Sequence, residues 1–296
     1  MQVDEYIEWI SDAFIQEKEC KVGMLRLDKI HPIISGNKYF KLKYYLEEAI
    51  KANRDTIITY GGYFSNHLHA TAFACNLYGL KSVGYVRGLE PSSLNDTLKD
   101  CIKFGMELKF IPQGNFNKIQ QQMNDSLPEN VQIIPMGGHG LLGMKGASEI
   151  LNIENLKEFD YIIAAAGTGT MGGGLLDKLQ KDQQLILISA VKNNYSIKEE
   201  ILELIPTLAA KANQLSIYHE FHCGGFGKSN PILIEKMNWF YNQHQMPTDF
   251  VYTGKMILGF YELLRNNSIQ KNSKILLIHS GGLQGNRSLA AGSLNF

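Results

Sequence analysis

Cysteine is scarce in this chain of 296 residues, with four in all: Cys20, Cys75, Cys101 and Cys223. No two of them form a CxxC pair, so the usual spacing of a zinc site is missing and no metal is expected. Scattered single cysteines fit free thiols in a reducing compartment better than a disulfide framework. Charge of one sign is missing as well, because 29 basic and 29 acidic side chains leave a formal net charge of zero. No basic field points to nucleic acid, and no acidic tail points to a disordered solvating segment. Long apolar runs are absent too, and nothing approaches the roughly 18 apolar residues of a membrane span. The opening MQVDEYIEWISDAF carries acids early and has no continuous apolar stretch, so neither a signal nor a transit peptide is expected. What these absences leave is a cytoplasmic globular protein with no membrane or nucleic-acid partner.

What is present is a hydrophobic content of 44%, enough for one large domain or two mid-sized ones. Short β-branched runs alternate with helical patterns. The expected strands are Thr56–Tyr60, Ser82–Val86, Leu108–Ile111, Gln132–Ile134, Tyr161–Ala166, Leu185–Ala190, Leu215–Tyr218 and Lys274–His279. Several are apolar almost throughout, as strands buried on both faces are. Between them, Leu42, Tyr45, Leu46, Ala49 and Ile50 recur at steps of three and four and form one apolar helical face. Asn66–Leu77, Leu94–Phe104, Gly172–Leu179 and Met256–Arg265 read as further helices. This βαβα rhythm predicts an α/β fold with mostly parallel sheet flanked by helices. The polar stretch Asn115–Glu129 reads as a surface excursion. Boundaries near 50 and 150 would divide the strands into two groups: a larger domain, 1–50 plus 151–296, and a smaller one, 51–150.

Three glycine clusters directly follow expected strands. They are Gly61-Gly62-Tyr63-Phe64-Ser65-Asn66, Gly167-Thr168-Gly169-Thr170-Met171-Gly172-Gly173-Gly174, and Ser280-Gly281-Gly282-Leu283-Gln284-Gly285. Ligands of parallel sheets bind outside the carboxyl ends of the strands. Glycine lets backbone N–H groups approach an anion, and a following helix adds its positive end. The second cluster, with its two threonine hydroxyls, is the best phosphate cradle. It also matches GxGxxG at Gly167, Gly169 and Gly172, so a dinucleotide site and an NAD(P)-linked oxidoreductase come into question. That motif wants an acid about 20 residues on, and Ile188-Ser189-Ala190-Val191-Lys192 offers none. Glycines that serve only tight turns are the plainer possibility. Gly227-Lys228-Ser229 resembles the end of a P-loop, but the motif's first glycine would fall at His222, so this segment reads as a loop without a nucleotide role.

Ser35-Gly36-Asn37-Lys38-Tyr39-Phe40-Lys41-Leu42 sets a lysine at a glycine-led turn just before an amphipathic helix. The positive end of the helix dipole disfavours a charged amine there. A neutral amine is what an aldehyde needs to form a Schiff base. Taken alone, Lys38 would be one more solvated lysine. Its company changes that reading: SGNKYFKL, YGGYFSNH, AAGTGTMGGG, VYTGK and HSGGLQG occur in this order. In that combination the chain, from about residue 25 onward, resembles the fold-type II pyridoxal-phosphate enzymes, the tryptophan synthase β-subunit group. Within them it is similar to the 1-aminocyclopropane-1-carboxylate deaminase and D-cysteine desulfhydrase family.

The resemblance implies a fold of two domains, each with a mostly parallel sheet, and pyridoxal 5'-phosphate as cofactor. It implies Lys38 as the Schiff-base lysine and Lys41 at the cofactor phosphate, with Gly167, Thr168, Gly169 and Thr170 as the phosphate loop. Asn66 would hydrogen-bond the ring O3′, and Ser280 would face the pyridine nitrogen. Ser65 and His67, beside Asn66, would meet the carboxylate of a small amino-acid substrate, and Tyr252 would lie over the cofactor and face that substrate. His67 could equally be a structural histidine at a helix start, and Tyr252 a ring that only stacks. A homodimer is the family's assembly. The segment before Lys38 is short for the family, so part of the dimer contact is expected to be replaced.

Departures from the family patterns bear on the chemistry. The cyclopropane deaminases carry an acid where this chain has Thr253 and an apolar residue where it has Ser280; the desulfhydrases carry small hydroxyl residues at both. A hydroxyl does not enforce protonation of the pyridine nitrogen as a carboxylate would. The weaker electron sink suits α,β-elimination, in which a departing group takes up the electrons. Phe226 stands where the family often has a second tyrosine. The expected activity is that of a deaminating lyase or hydrolase of D-cysteine desulfhydrase type, yielding a 2-oxo acid and ammonia, with Lys38 as base at Cα. Cyclopropane deamination is the alternative within the family, and a non-catalytic binder of the cofactor or an amino acid the alternative outside enzymes.

Overall fold

The computed structural model describes residues 3–125 and 127–296. The chain opens with β1 (Ile7–Ile10), α1 (Ala13–Glu17), β2 (Lys21–Arg26) and α2 (Asn37–Lys51). It then runs β3 (Thr56–Gly61), α3 (Asn66–Leu77), β4 (Lys81–Arg87), α4 (Asp96–Lys103), β5 (Met106–Ile111), α5 (Phe116–Asp125), β6 (Val131–Ile134) and α6 (Leu141–Ser148). It continues with β7 (Tyr161–Ala166), α7 (Gly169–Lys178), β8 (Gln184–Ser189), α8 (Ile197–Leu204) and β9 (Leu215–Tyr218). It closes with α9 (Pro231–His244), α10 (Thr253–Arg265) and β10 (Lys274–His279). One sheet has the order β1-β2-β10-β7-β8-β9 and the other β5-β4-β3-β6. All neighbours are parallel except β1 and β2.

The uniformly apolar strands lie where their composition demands. Ile162, Leu187, Leu276 and Ile278 point to the face covered by α7 and α8, where Leu175, Leu176 and Ile201 pack. Ile163, Ile186, Ile275 and Leu277 point to the other face, under Met256, Phe260 and Leu264 of α10. Truncating Leu276 or Leu277 to alanine in such a layer costs roughly 2–5 kcal/mol. Helix α2 buries Leu42, Tyr45, Leu46 and Ala49, as its pattern predicts, but Ile50 is 47% exposed and lies past the end of the apolar stripe. Helix α6 crosses α2 at backbone contact, because a Cβ on Gly146 would overlap the Phe40 carbonyl.

All eight expected strands are present, with ends shifted by at most two residues. The pair β1–β2 was not anticipated. Its four-residue β1 is short, and Gly23 interrupts β2; opposite Gly23 stands Trp9, and a Cβ on Gly23 would press on Ile7 at 3.0 Å. The surface excursion expected at 115–129 is corrected for 116–125, which forms α5. Phe116, Ile119 and Met123, three and four residues apart, pack with Ile58, Tyr60 and Ile111, a stripe hidden by the glutamines between them. Residue 126 of that stretch lies outside the described residues.

Candidate active site

The three glycine clusters follow β3, β7 and β10 and meet at a cleft of about 910 Å³, lined from both sheets. Gly36 joins two of its walls. Its φ is 70°, a region that side chains rarely occupy, and a Cβ there would overlap the Ser280 carbonyl oxygen. Asn37 N donates to the same oxygen at 3.1 Å. The start of α2 is thereby fastened to the end of β10, and Lys38 is held near Ser280.

Lys38 lines the cleft, and its Nζ donates to Asn37 Oδ1 at 3.0 Å. Removal from water lowers its pKa from 10.5 to about 8, against the attraction of the Asp249 carboxylate. Dehydration, rather than the helix dipole reasoned from sequence, is the larger cause. Lys41, one helical turn on, is buried, and its Nζ donates to Gly137 O at 3.2 Å. Burial, and then the nearby charge of Lys38, hold Lys41 well below the ordinary lysine range.

At the start of α3, Ser65 Oγ accepts from Leu68 N at 3.2 Å, an N-cap that leaves the hydroxyl proton free to donate. Asn66 Oδ1 accepts from Gln284 Nε2 at 2.6 Å, so its Nδ2 remains a donor. Gly282, with φ 94°, makes room for that amide, which a Cβ would overlap. His67 is buried, and its Nε2 lies 2.8 Å from Thr59 Oγ1. The Thr59 hydroxyl gives its own proton to Ile134 O at 2.8 Å, so Nε2 is the protonated nitrogen and Nδ1 a bare acceptor. Burial, with the charges of Lys38 and Lys41, pushes the His67 pKa well below the usual value and keeps the ring neutral.

In the loop at 167–170, Thr168 caps α7 and lines the cleft. Asn194 Nδ2 braces the turn from behind by donating to Gly167 O at 2.7 Å. Thr170 is fully buried, and its Oγ1 sits 3.0 Å from His139 Nδ1 and 3.3 Å from Thr168 Oγ1. Its hydroxyl therefore stiffens the turn rather than opening on the cleft. Gly169 N donates weakly, at 3.4 Å, to the carboxylate of Glu200, which also lines the cleft.

Tyr252 lies against this loop, close enough that a Cβ on Gly167 would meet its ring at 3.1 Å. Burial and the Asp249 carboxylate raise the Tyr252 phenol, which stays protonated. Asp249 is fully buried and accepts from Val251 N, Tyr252 N and Thr253 N at 2.9, 2.9 and 2.8 Å. The Thr253 hydroxyl also donates to Asp249 Oδ1, at 2.6 Å. Thr253 is therefore spent on capping α10 and is shut away from the cleft. Of the two hydroxyl positions used to sort the chemistry, Ser280 alone reaches it. Phe226 meets Tyr252 edge-on, with ring centroids 6.1 Å apart. The 227–229 loop lies at the cleft's edge. Asn194, Glu200 and His139 were missed by sequence reasoning, since each is an isolated polar residue whose partner lies 27 or 31 residues away, and no role was read for Asp249 or Gln284.

These residues fit pyridoxal 5'-phosphate. Lys41 is a buried amine that donates to the carbonyl of Gly137, which neighbours Thr168 of the 167–170 turn. Lys38 is an amine partly neutral near pH 7, the Asn66 Nδ2 donor suits a phenolate oxygen, and the Ser280 hydroxyl borders the same cleft.

Comparison with known proteins agrees. The family model for pyridoxal-phosphate dependent enzymes matches residues 11–281. A putative 1-aminocyclopropane-1-carboxylate deaminase of Thermotoga maritima is 30% identical over 96% of this chain and 97% of its own length. The D-cysteine desulfhydrase of Salmonella typhi is 24% identical over 94% of this chain and 90% of its own. Among solved structures, an ACC deaminase homologue superposes with a TM-score of 0.80 at 26% identity, covering 95% of this chain and 90% of that one. The dinucleotide alternative is dropped with this match, and so is the hydrolase class, which none of these names supports. With two parallel-rich sheets meeting at a lysine-bearing cleft, and with a family match across most of its length, this chain belongs to the pyridoxal-phosphate dependent enzymes of the tryptophan synthase β-like fold.

Proposed function

We propose that this enzyme is a lyase of D-cysteine desulfhydrase type, which removes the β-substituent and then the amino group of a small amino acid to leave a 2-oxo acid. The observation that carries this reading is Ser280, a neutral hydroxyl at the cleft where the resemblance puts an apolar residue in the cyclopropane deaminases and a small hydroxyl in the desulfhydrases. Asp249, a buried acid beside Gly282, has both oxygens committed to the start of α10. Bound pyridoxal phosphate supplies an aldehyde to hold the substrate nitrogen and a ring to take up electrons from Cα.

The protein's residues divide the remaining work. Lys41, Gly167, Thr168 and Gly169 would grip the phosphate, while Thr170 stiffens the turn from behind. Lys38 is the amine that would hold the aldehyde at rest and, once released, would take the Cα proton. Its pKa of about 8 is near the working pH, where a base is most effective. Ser65 donates its free proton to the substrate carboxylate and Asn66 donates to the ring oxygen. His67, at the same wall, supports Ser65 and Asn66 as a neutral ring, because its open nitrogen accepts and does not donate. The protonated Tyr252 phenol stands over the turn as the proton donor on the substrate side.

On this reading the larger unit, 1–50 plus 151–296, carries the cofactor turns, and the smaller unit, 51–150, brings Ser65 and Asn66 to the substrate. The assembly we propose is a homodimer in the cytoplasm; the four cysteines are free, and no helix among the described residues is long and apolar enough to cross a membrane. Cyclopropane deamination is the second reading, favoured by the name of the Thermotoga relative. Assaying purified holoenzyme with D-cysteine, L-cysteine and 1-aminocyclopropane-1-carboxylate separates the two. Pyruvate and sulfide from D-cysteine are expected. Turnover of the cyclopropane substrate alone would overturn the proposal. Light scattering that reports a monomer would remove the dimer.

A further inference from the structure

Part of the cleft wall beside Tyr252 is apolar. Phe226 is 49% exposed yet lines the cleft, with its ring edge-on to Tyr252 at 6.1 Å. Phe250 and Leu289 line the same cleft and belong with Tyr252 to one apolar cluster. The Phe226 loop is built to hold its position. Gly224, Gly225 and Gly227 have φ of 97°, 114° and 64°, a run of backbone that other residues rarely adopt. Lys255 Nζ, fully buried, pins it by donating to Gly225 O at 2.7 Å and to Ala190 O at 3.2 Å. A cleft of about 910 Å³ lies toward the upper end of the roughly 300–1,000 Å³ typical of small-molecule sites.

We infer that the β-substituent taken here is an alkyl or aryl thioether, so that the leaving group is an organic thiolate rather than hydrosulfide. This rests on the elimination reading above and names its substrate class. A hydrated thiol leaves the Phe226 face wet, whereas an S-alkyl chain covers it. Sulfur is favoured over oxygen because a thiol is far more acidic than an alcohol, with a pKa of about 8.5 for cysteine, so it departs without the proton an alkoxide would need. A thiolate leaves with its own electron pair. The Cα proton passes to the Lys38 amine, the Cβ–S bond breaks, and its electrons go to sulfur. One water then replaces the nitrogen, so that S-alkyl-cysteine and water give thiol, pyruvate and ammonium with no outside oxidant or reductant.

The test follows release of thiol and pyruvate by holoenzyme from both enantiomers of cysteine and its S-methyl, S-ethyl, S-propyl and S-benzyl derivatives. The expected result is a kcat/KM that climbs about fourfold per added methylene in one enantiomeric series, and a flat series in Phe226→Ala. Calorimetry gives a readout without turnover. Ethionine, whose sulfur on Cγ prevents β-elimination, should bind the wild type about fourfold tighter than methionine and lose that margin in Phe226→Ala. Elimination that is fastest with cysteine and falls with every added carbon would overturn the thioether assignment and leave the elimination reading intact. Failure to release pyruvate from any member would sink both.

Discussion

Lys38 offers the most direct quantitative test of this site, because its chemistry depends on the fraction of amine that has lost its proton. An ordinary lysine with a pKa of 10.5 is about 0.03% neutral at pH 7. At a pKa of about 8 the neutral share is roughly 10%, a gain of about 300-fold. The cause is removal from water, which the Asp249 charge only partly offsets. The second-order rate of cofactor uptake by the cofactor-free protein should therefore rise about tenfold from pH 6 to pH 7, about fivefold from pH 7 to pH 8, and level off near pH 9.

The assay is stopped-flow absorbance of pyridoxal phosphate added to cofactor-free protein between pH 6 and pH 11. Each rate is divided by the rate of a simple primary amine with the same cofactor, corrected to its neutral form, which cancels the titration of the cofactor itself. A plateau beginning near pH 9 is the expected result, and Lys38→Ala should abolish the borohydride-sensitive colour. A rate still rising tenfold per unit beyond pH 10 would mean a solvated amine. That outcome would refute the claim that the cleft dehydrates Lys38.

The same shift predicts a stability effect of defined sign. A lysine whose folded pKa is depressed penalises folding fully below about 8, and the penalty is relieved as pH climbs toward 10.5. Lys38→Met should therefore raise the Tm of the cofactor-free protein at pH 7, with a margin that shrinks between pH 8 and pH 10.5; a constant margin would contradict this. Gly36→Ala should cost about 3 kcal/mol or more, from left-handed backbone, overlap with the Ser280 carbonyl and loss of the Asn37 bond. Urea unfolding measures it, and a cost under about 1 kcal/mol would show that the junction between α2 and β10 is loose. Glu200→Gln should tighten pyridoxal phosphate binding about tenfold at low salt, since the Glu200 carboxylate now faces the Gly169 amide that a phosphate needs. Fluorescence titration reads it, and unchanged affinity would place Glu200 outside the phosphate's field.

What could be read from the sequence and what could not divide along a physical line. β7, β8 and β10 were legible because a strand buried on both faces must be apolar at every position, and that signal is local. α3 was legible to its ends because Ser65 caps it and Leu68, Ala70, Ala72, Phe73 and Ala74 crowd its middle. α5 was not, since three apolar residues among glutamines are a weak stripe until Ile58 and Tyr60 are known to lie beneath them. The site shows the same division. Lys38 and the 167–170 turn announce themselves by glycine and by order along the chain. Thr170, from the same turn, was assigned with its neighbours, yet its hydroxyl points inward to His139, a partner 31 residues away in sequence.

Asp249 is the sharpest case. In sequence it is one acid before FVYTGK, with no pattern to mark it. In the fold it caps α10, takes the Thr253 hydroxyl out of the cleft, and acts on the charge of Lys38 and the phenol of Tyr252. Its two effects on those groups work together. The same negative field that holds the Tyr252 proton in place also keeps Lys38 from falling far below 8, so one residue stays an acid while the other alternates between amine and ammonium. Asp249→Asn should therefore shift the Lys38 titration to lower pH. It should also lower the stability of the start of α10, since an amide nitrogen cannot accept the bonds that the second carboxylate oxygen accepts from Val251 and Tyr252. If the uptake plateau in that variant began no lower than in the wild type, Asp249 would not be the charge that tunes Lys38, and the division of acid and base between Tyr252 and Lys38 would need another source.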